Sequence, residues 1–408
     1  MVGPASIRSC HSRLLFLFSN RREIALGGAG TMALWALGIV LSAAAVGGVE
    51  AGVAAGRGPQ SCGFPALFSF GDNNSDVGQH QAMFADLDLP NGQTFFGKYS
   101  GRFCDGRLII DFIAEHLGFP YLGAYFDTYN RNYRHGASFA LGGSSLDVAK
   151  GWSPFSLDRQ FFLFNHFKSL TLHRFNNHTA DGMKDDTALN LLPRPEEFPK
   201  ALYIIDIGQN DFAFDLLNSK AAEAQQSILA RLDSFDYSIQ ALHQWYAANV
   251  IMVLNVGPLG CLPYHAKTYL KNNPGSAVDQ NGCSKDQNDL IQEFNKQLKA
   301  RIQKLRGLNP NATLTYVDVY SAKYNLISNA RKLGFNDPMK FCCGSYDDRY
   351  IPCGRKGFKA ESCSDPSKYI SWDGIHYTEA ANRFVAKQII NGSLSDPPLP
   401  LAEACRKP

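Results

Sequence analysis

The residues whose types and spacing best suit catalysis lie near the C-terminus, where Asp373 precedes His376 by three positions. In a loop, this spacing lets the carboxylate accept the Nδ1 proton of the imidazole, which orients the ring and stabilises its charged form. A histidine held in this way can act as a general base. The same spacing also occurs in ordinary surface loops before helices, so the pair alone is compatible with a structural role. Whether this pair is catalytic or structural depends on the residues that the fold places beside it.

Two further polar segments follow buried apolar runs, at the places where a parallel sheet would bind a ligand. Residues 71–73 (Gly-Asp-Asn) follow the apolar run 66–70, and residues 208–210 (Gly-Gln-Asn) follow the run 202–207. A third run, 250–256, is closed by a Gly-Pro pair. In open α/β sheets, ligands bind at the carboxyl ends of the strands. The pattern therefore predicts that these segments meet at one edge of a sheet.

Short β-type runs alternate with helical patterns from about residue 62 onward. Residues 315–319 add a fourth strand pattern, and apolar residues recur at helical spacing in the segments 105–117, 222–246, 290–305 and 378–390. Strands that alternate with long helices predict the α/β class, with a largely parallel sheet covered on both faces. No linker, repeat or low-complexity tract interrupts this pattern. We therefore expect a single domain over residues 60–395 and a C-terminal tail over 396–408.

The first 55 residues have the pattern of a targeting segment. Residues 32–49 are uncharged and apolar, follow Arg21 and Arg22, and end near small residues typical of a secretory cleavage site. An apolar run of this length is at the short limit for spanning a bilayer, so a membrane anchor is the alternative. The residues before Met32 also leave open a plastid transit peptide or a start codon assigned too far upstream. We expect a secreted protein, with no stable membrane insertion after the signal is removed.

Composition and charge restrict the possible partners. The chain has 408 residues, of which 45% are hydrophobic and 19% charged, so it can bury a sizeable core and is not mostly disordered. The formal net charge is +3, and four arginines and two glutamates lie in the first 55 residues, which leaves +1 for the remainder. A body so close to neutral has no electrostatic footprint for nucleic acid. The expected partner is therefore small or neutral.

Cysteine usage agrees with secretion. Nine cysteines follow residue 55, and their spacing matches no common zinc motif, so we expect disulfides, one free thiol, and neither a metal nor another cofactor. Cys261 and Cys283 flank an excursion that contains proline and glycine beyond a strand end, which predicts a disulfide between them. Sequons at Asn177, Asn311 and Asn391 lie in polar, loop-like sequence and predict N-glycans.

Four ordered sequence blocks carry a specific resemblance. They are Phe70-Gly-Asp-Asn-Asn-Ser-Asp-Val-Gly78, His135-Gly-Ala-Ser-Phe-Ala-Leu-Gly-Gly143, Gly208-Gln-Asn-Asp211, and the segment that contains Asp373 and His376. Together they resemble the plant GDSL esterase/lipase family, a branch of the SGNH hydrolases, over residues 64–390. The resemblance implies a three-layer α/β/α sandwich with a mostly parallel, flavodoxin-like sheet. It also implies hydrolysis of a small-molecule or polysaccharide ester, without a cofactor.

The resemblance also assigns roles in acyl transfer to five positions. In the family, the third residue of the Gly-Asp-Ser motif is the nucleophilic serine, and this chain has Asn73 there. Gly136 is expected to offer its backbone N–H to the oxyanion, and Asn210 its side-chain amide. Asp373 and His376 match the orienting acid and the base. The predicted site therefore keeps every role except the nucleophile.

Asn73 is the departure that decides the chemistry. A carboxamide nitrogen is delocalised into its carbonyl and cannot be usefully deprotonated by imidazole, so it is a poor nucleophile. Ser75, two residues farther along a helical turn, would point about 200° away, and Ser144 and Ser145 belong to no motif.

Three interpretations stay open. The chain is an esterase that has lost acyl-enzyme chemistry, or a hydrolase in which His376 activates water directly while Asn73 helps to hold the oxyanion. The third is a sequence error or engineered change, because serine and asparagine codons can differ by one base.

A non-enzymatic function is the remaining alternative, in which a secreted protein binds a carbohydrate or lipid ester without turning it over. Aromatic residues predicted to flank the cleft would stack on sugars or line an acyl pocket, unless they simply pack in the core. These residues are Phe95, Phe96, Tyr99, Tyr125, Tyr129 and Tyr133. We also expect the sequon at Asn73 to carry no glycan, because a glycan there would fill the cleft.

Overall fold

Six strands form one sheet in the computed structural model, which describes residues 61–407 except 128–131, 182–186, 219–220, 346–349 and 359–360. The strands are β1 (Leu67–Gly71), β2 (Gly136–Ser138), β3 (Leu202–Asp206), β4 (Val250–Leu254), β5 (Thr313–Val317) and β6 (Ser395–Asp396). Their order is β2-β1-β3-β4-β5-β6, and all neighbours pair in parallel except β5 with β6. The parallel part has the flavodoxin-like order, which confirms the predicted fold class.

Helices cover both faces of this sheet. Those in the described residues are α1 (Gln79–Phe84), α2 (Ile109–His116), α3 (Leu157–Asp181), α4 (Gln209–Asn218), α5 (Ala221–Gln226), α6 (Ile228–Gln244), α7 (Pro263–Asn272), α8 (Lys285–Leu308), α9 (Val319–Ser328) and α10 (Glu379–Ile390). The apolar sides of α3, α6 and α8 contribute to one core, whereas α2 and α10 contribute to the core on the opposite face.

Alternate residues of β1, β3, β4 and β5 divide between these two cores. Phe68 of β1 packs edge-on against Phe164 of α3, with ring centroids 5.0 Å apart, whereas its neighbour Leu67 lies in the same core as Ile113 of α2. All five residues of β1 are buried, as are those of β3, β4 and β5. Burial on both faces explains why these strands read as continuous apolar runs rather than as alternating sequence.

The helices differ from the sequence expectation in several places, since α1, α3, α4, α7 and α9 match none of the predicted helical segments. The predicted helix 222–246 is two helices, α5 and α6, which are separated at Ser227. The sequence did not predict α3, although it is 25 residues long. Phe162 and Leu170 on α3 are 64% and 54% exposed. Apolar residues therefore lie on both sides of this helix and obscure its helical periodicity.

The C-terminal segment belongs to the domain and is not a tail. β6 pairs with β5, Leu401 and Ala404 are buried in the core beside α10, and Cys405 forms a disulfide with Cys62. The predicted boundary at residue 395 is therefore wrong, because apolar side chains beyond it are packed in the core. The predicted targeting segment lies outside the described residues.

Four disulfides are present in the described residues, and they include the pair predicted from the sequence. They are Cys62–Cys405, Cys261–Cys283, Cys342–Cys363 and Cys343–Cys353. Cys104 is a buried free thiol. Within the part of the chain that the structure describes, no helix combines the length and apolar character needed to cross a membrane.

Candidate active site

The carboxyl end of β1 delivers Asn73 to the edge of the sheet. Gly71 has a φ of 144°, and a Cβ there would lie 2.0 Å from the backbone oxygen of Asp206, so only glycine allows this close approach of β1 to β3. Gln160 of α3 fixes the same residue, because its side chain accepts from the Gly71 N–H and donates to the Gly71 carbonyl, each at 2.8 Å. Asn73 follows two residues later, and its half-buried side chain lines a cleft.

Two hydrogen-bond donors converge on the side-chain oxygen of Asn73. Gly143, in the loop after β2, donates its backbone N–H to Asn73 Oδ1 at 2.8 Å. Asn210, in the first turn of α4, donates from Nδ2 to the same oxygen at 3.1 Å. It also donates to the Ser144 carbonyl at 2.8 Å, which ties its amide to the loop that carries Gly143. Two convergent donors of this kind stabilise the oxyanion in acyl transfer, and here they hold the carboxamide oxygen of Asn73.

Gly136, the backbone donor expected from the sequence, does not lie at this site. It opens β2, pairs with Leu67, and donates its N–H to the carbonyl of Tyr133 at 2.9 Å. Asn73 follows the carboxyl end of β1. Because β1 and β2 are parallel, the start of β2 lies at the other end of the strands, far from Asn73. Gly143, seven residues farther along the same sequence block, lies beyond the end of the strand. That position relative to the strand is the signal that distinguishes the two glycines.

His376 and Asp373 meet in the loop before α10, as their spacing predicts. The Nδ1 atom of His376 lies 2.7 Å from Asp373 Oδ2, and the other carboxylate oxygen accepts the backbone N–H of His376 at 2.8 Å. Tyr350 donates its hydroxyl to Asp373 Oδ2 at 2.8 Å, a contact that the sequence did not predict. The Nε2 atom of His376 is buried and has no hydrogen-bond partner among the described residues, so no other protein group engages its lone pair.

The electrostatics of this pair suit a general base. Burial alone raises the pKa of Asp373, but the charge of His376 and the hydrogen bonds from its ring and backbone outweigh burial and leave that pKa below its usual value. The carboxylate is therefore ionised at neutral pH and can stabilise an imidazolium. His265, in the wall of the same cleft, has its pKa lowered to about 3 by burial and by the charge of His376. It is therefore uncharged at neutral pH.

Asn73, Asn210 and His376 line one cleft with a volume of about 720 Å³. The ring of Phe103 stacks on His376, with centroids 4.9 Å apart. The other apolar lining residues are Phe84, Leu87, Trp152, Leu217, Pro352 and Ile375. A concave, largely apolar cleft with a few convergent polar groups is the usual form of a small-molecule site.

Two fully buried aspartates hold the loop that carries Gly143. Asp76 accepts the Gly142 N–H at 2.7 Å and three further backbone N–H groups around the start of α1. Asp211, the neighbour of Asn210, accepts the backbone N–H groups of residues 146–147. Both carboxylates belong to the sequence blocks named above, but the sequence assigned them no role. They fix the donor loop at both of its ends.

Several other predicted residues lie away from the cleft. None of the described aromatics expected at its mouth lines it, namely Phe95, Phe96, Tyr99, Tyr125 and Tyr133, and Tyr129 lies outside the described residues. Phe95 and Phe96 instead pack against Tyr121. Ser75 is 2% exposed, and its hydroxyl lies 3.4 Å from an Asp206 oxygen, so it does not replace the missing serine. The sequon residues Asn177, Asn311 and Asn391 are all exposed.

Comparisons with known proteins agree on one family. Residues 67–389 match the GDSL-like Lipase/Acylhydrolase family. A GDSL esterase/lipase of Arabidopsis thaliana is 44% identical over 353 residues, which cover 85% of this chain and 92% of that protein. An esterase of Hevea brasiliensis is 40% identical, with 85% and 90% covered. A protein of Arabidopsis thaliana named alpha-L-fucosidase 3 is 37% identical, with 85% and 93% covered.

Proposed function

Because the chain belongs to the GDSL-like lipase/acylhydrolase family, we propose that it is a secreted protein of the ester hydrolase class in which Asn73 impairs the acyl-enzyme step. The observation that carries this proposal is the position of the Asn73 carboxamide. Its oxygen accepts from Gly143 and Asn210, the two donors that a substrate carbonyl would need. Asn73 therefore impairs the reaction twice, since it supplies no nucleophilic hydroxyl and it occupies the oxyanion site.

The expected size of the impairment follows from the loss of the nucleophile. Removing the nucleophile of a comparable triad costs on the order of 10⁶ in rate and leaves about 10³–10⁴ over water, which comes from the oxyanion donors and binding. In this chain the donors themselves are engaged by Asn73. Even that residual acceleration therefore requires the substrate to displace the Asn73 carboxamide.

The geometry favours loss of acyl-enzyme chemistry over direct activation of water with help from Asn73. For Asn73 to hold an oxyanion, its Nδ2 group would have to point at the reacting oxygen. Instead its Oδ1 atom accepts the backbone N–H of Gly143, and a backbone N–H cannot pair with an amide NH₂ group. The carboxamide oxygen of Asn73 therefore competes with the oxyanion for its two donors.

The cleft suits an ester better than a glycoside, the substrate implied by the name of one relative. Glycosidases use two carboxyl groups that flank the scissile bond. Among the described residues that line the cleft, Asp86 alone carries a carboxyl group, and one of its oxygens already lies 2.9 Å from Nε2 of His80. The apolar wall around Phe103 and Trp152 instead fits the acyl or aryl part of an ester.

The disulfides and exposed sequons support secretion.

Turnover of p-nitrophenyl acetate tests the proposal. Asn73→Ser restores a hydroxyl to a base that is already oriented, so we expect a gain of at least ~10²-fold over the unsubstituted chain. His376→Ala in that background should abolish the gain. Asn74→Ser is the matched control, because it adds the same hydroxyl one residue away. The proposal is wrong if the unsubstituted chain turns over the ester as fast as Asn73→Ser and loses nothing on His376→Ala.

A further inference from the structure

The Asn73 side chain is an amide held in the position of a substrate. Its carbonyl oxygen accepts one hydrogen bond from a backbone N–H and one from a side-chain amide, at 2.8 and 3.1 Å. Donors placed in this way withdraw electron density from a carbonyl carbon and stabilise the oxyanion that forms when a nucleophile adds to it. The Cγ atom of Asn73 is bonded to that oxygen and therefore stands at the electrophilic centre of the site.

A base that can activate water lines the same cleft. His376 is oriented by Asp373 at 2.7 Å, and its Nε2 atom has no hydrogen-bond partner among the described residues. The Asp373 carboxylate, whose second oxygen is anchored by the His376 backbone, is placed to stabilise the imidazolium that forms when Nε2 takes a proton. Because Nε2 is buried, a water molecule has to enter beside it, and there that water meets both the base and the polarised amide. No other nucleophile is required.

We propose that the site hydrolyses its own Asn73 side chain, converting it to aspartate. His376 Nε2 takes a proton from water as the water oxygen adds to Cγ, and the resulting oxyanion is held by Gly143 and Asn210. The imidazolium then gives that proton to Nδ2, the Cγ–Nδ2 bond breaks, and ammonia leaves. The new carboxyl group transfers its proton to ammonia. Amide and water therefore become carboxylate and ammonium, with no other reactant.

The product fits the site better than the starting amide does. A carboxylate oxygen accepts stronger hydrogen bonds than an amide oxygen, so Gly143 and Asn210 would hold the aspartate more tightly. The same donors that accelerate the reaction thus stabilise its product. This inference rests on the proposed function only in using the same base and the same oxyanion donors. It needs no ester substrate.

Asn74 provides an internal control in the adjacent position. Its side-chain nitrogen donates to Asp72 and to Gln209, each at 3.3 Å, and its side chain receives neither oxyanion donor. Asparagine in any flexible chain deamidates slowly through a cyclic imide, which opens to a mixture of aspartate and isoaspartate. Hydrolysis by His376 gives aspartate alone. The two routes therefore differ in position, in product and in dependence on the base.

The test is peptide mass spectrometry of the purified, full-length chain incubated in neutral buffer without substrate. We expect residue 73 to gain the mass difference between an amide and an acid over time, with aspartate as the only product. His376→Ala should slow that conversion at least ~10²-fold, the contribution of a general base. Asn210→Ala is a second variant that removes one donor, and it should slow conversion by about 10²-fold or more.

The inference is overturned if residue 73 stays an amide while Asn74 deamidates, or if both convert at the same rate with isoaspartate formed. It is also overturned if His376→Ala and Asn210→Ala leave the rate at residue 73 unchanged. These outcomes are independent of ester turnover. A chain whose Asn73→Ser variant is an active esterase but whose Asn73 never converts would keep the proposed function and lose this inference.

Discussion

Replacing Asp76 with asparagine is expected to displace the Gly143 donor without removing any group that contacts a substrate. The Asp76 carboxylate is buried and accepts four backbone N–H groups, at distances from 2.6 to 3.0 Å. One of them belongs to Gly142, which directly precedes the donor. Asparagine keeps one acceptor oxygen and turns an NH₂ group toward the other N–H groups, so part of this cluster must separate.

The magnitudes follow from the number of hydrogen bonds lost. Two bonds to a charged acceptor, at about 1.5–3 kcal/mol each, correspond to about 3–6 kcal/mol. Burial raises the pKa of Asp76, and removing the buried charge recovers part of that cost, so we expect a net loss of about 2–4 kcal/mol in the free energy of unfolding. Displacement of the donor by a fraction of its hydrogen-bond length should lower kcat by about 10²-fold.

Two measurements separate this positioning effect from general destabilisation. In the Asn73→Ser background, steady-state kinetics on a short ester should show a lower kcat with KM nearly unchanged. When Asp76→Asn is made in the chain that keeps Asn73, hydrogen exchange of the Gly142 and Gly143 amides should become faster. Asp111→Asn is the matched control, because Asp111 is 1% exposed and loses comparable bonds, but to Arg102 and Leu108. Equal losses of kcat in the two variants would show that Asp76 does not act by positioning Gly143.

Three further predictions concern the base, the buried charge and the glycans. Tyr350→Phe removes the hydroxyl that binds Asp373, so in the Asn73→Ser background we expect kcat to fall about 5–10-fold; an unchanged kcat would contradict this. Burial raises the pKa of Asp211 from 3.8 to about 7, so between these values the folded state binds more protons than the unfolded state, and stability falls as pH rises. Asp211→Asn should remove up to about 4 kcal/mol of this decline in urea unfolding, and an identical decline in both chains would contradict it. Enzymatic deglycosylation should shift the mass of peptides that contain Asn177, Asn311 or Asn391, and a glycan on Asn73 would contradict its place in the cleft.

The parts of this molecule that the sequence predicts are those encoded locally. The strands are short apolar runs because both of their faces are buried, and His376 follows Asp373 at a spacing that one loop can close. The contacts that the sequence did not predict join distant segments. Tyr350 contacts Asp373 from the loop closed by the Cys343–Cys353 disulfide, and no local sequence pattern predicts this contact.

The backbone donor of the site shows a different limit of prediction from sequence. The resemblance implied Gly136, whereas the structure has Gly143 of the same block donating to Asn73. The choice depends on where β2 begins and ends, and a strand of three residues is too short to leave a clear apolar run. Once the strand is placed, the direction of the parallel sheet assigns Gly143 to the edge that carries Asn73.

Covalent labelling with an alkyl fluorophosphonate shows whether residue 73 carries an activated nucleophile, because this reagent phosphonylates an activated serine hydroxyl and releases fluoride. We expect no label on the unsubstituted chain, one label at residue 73 of Asn73→Ser, and none when that variant also carries His376→Ala. Peptide mapping locates the label. A label on the unsubstituted chain, for example at Ser75, or an unlabelled Asn73→Ser variant would contradict the claim that Asn73 alone separates this site from an active ester hydrolase.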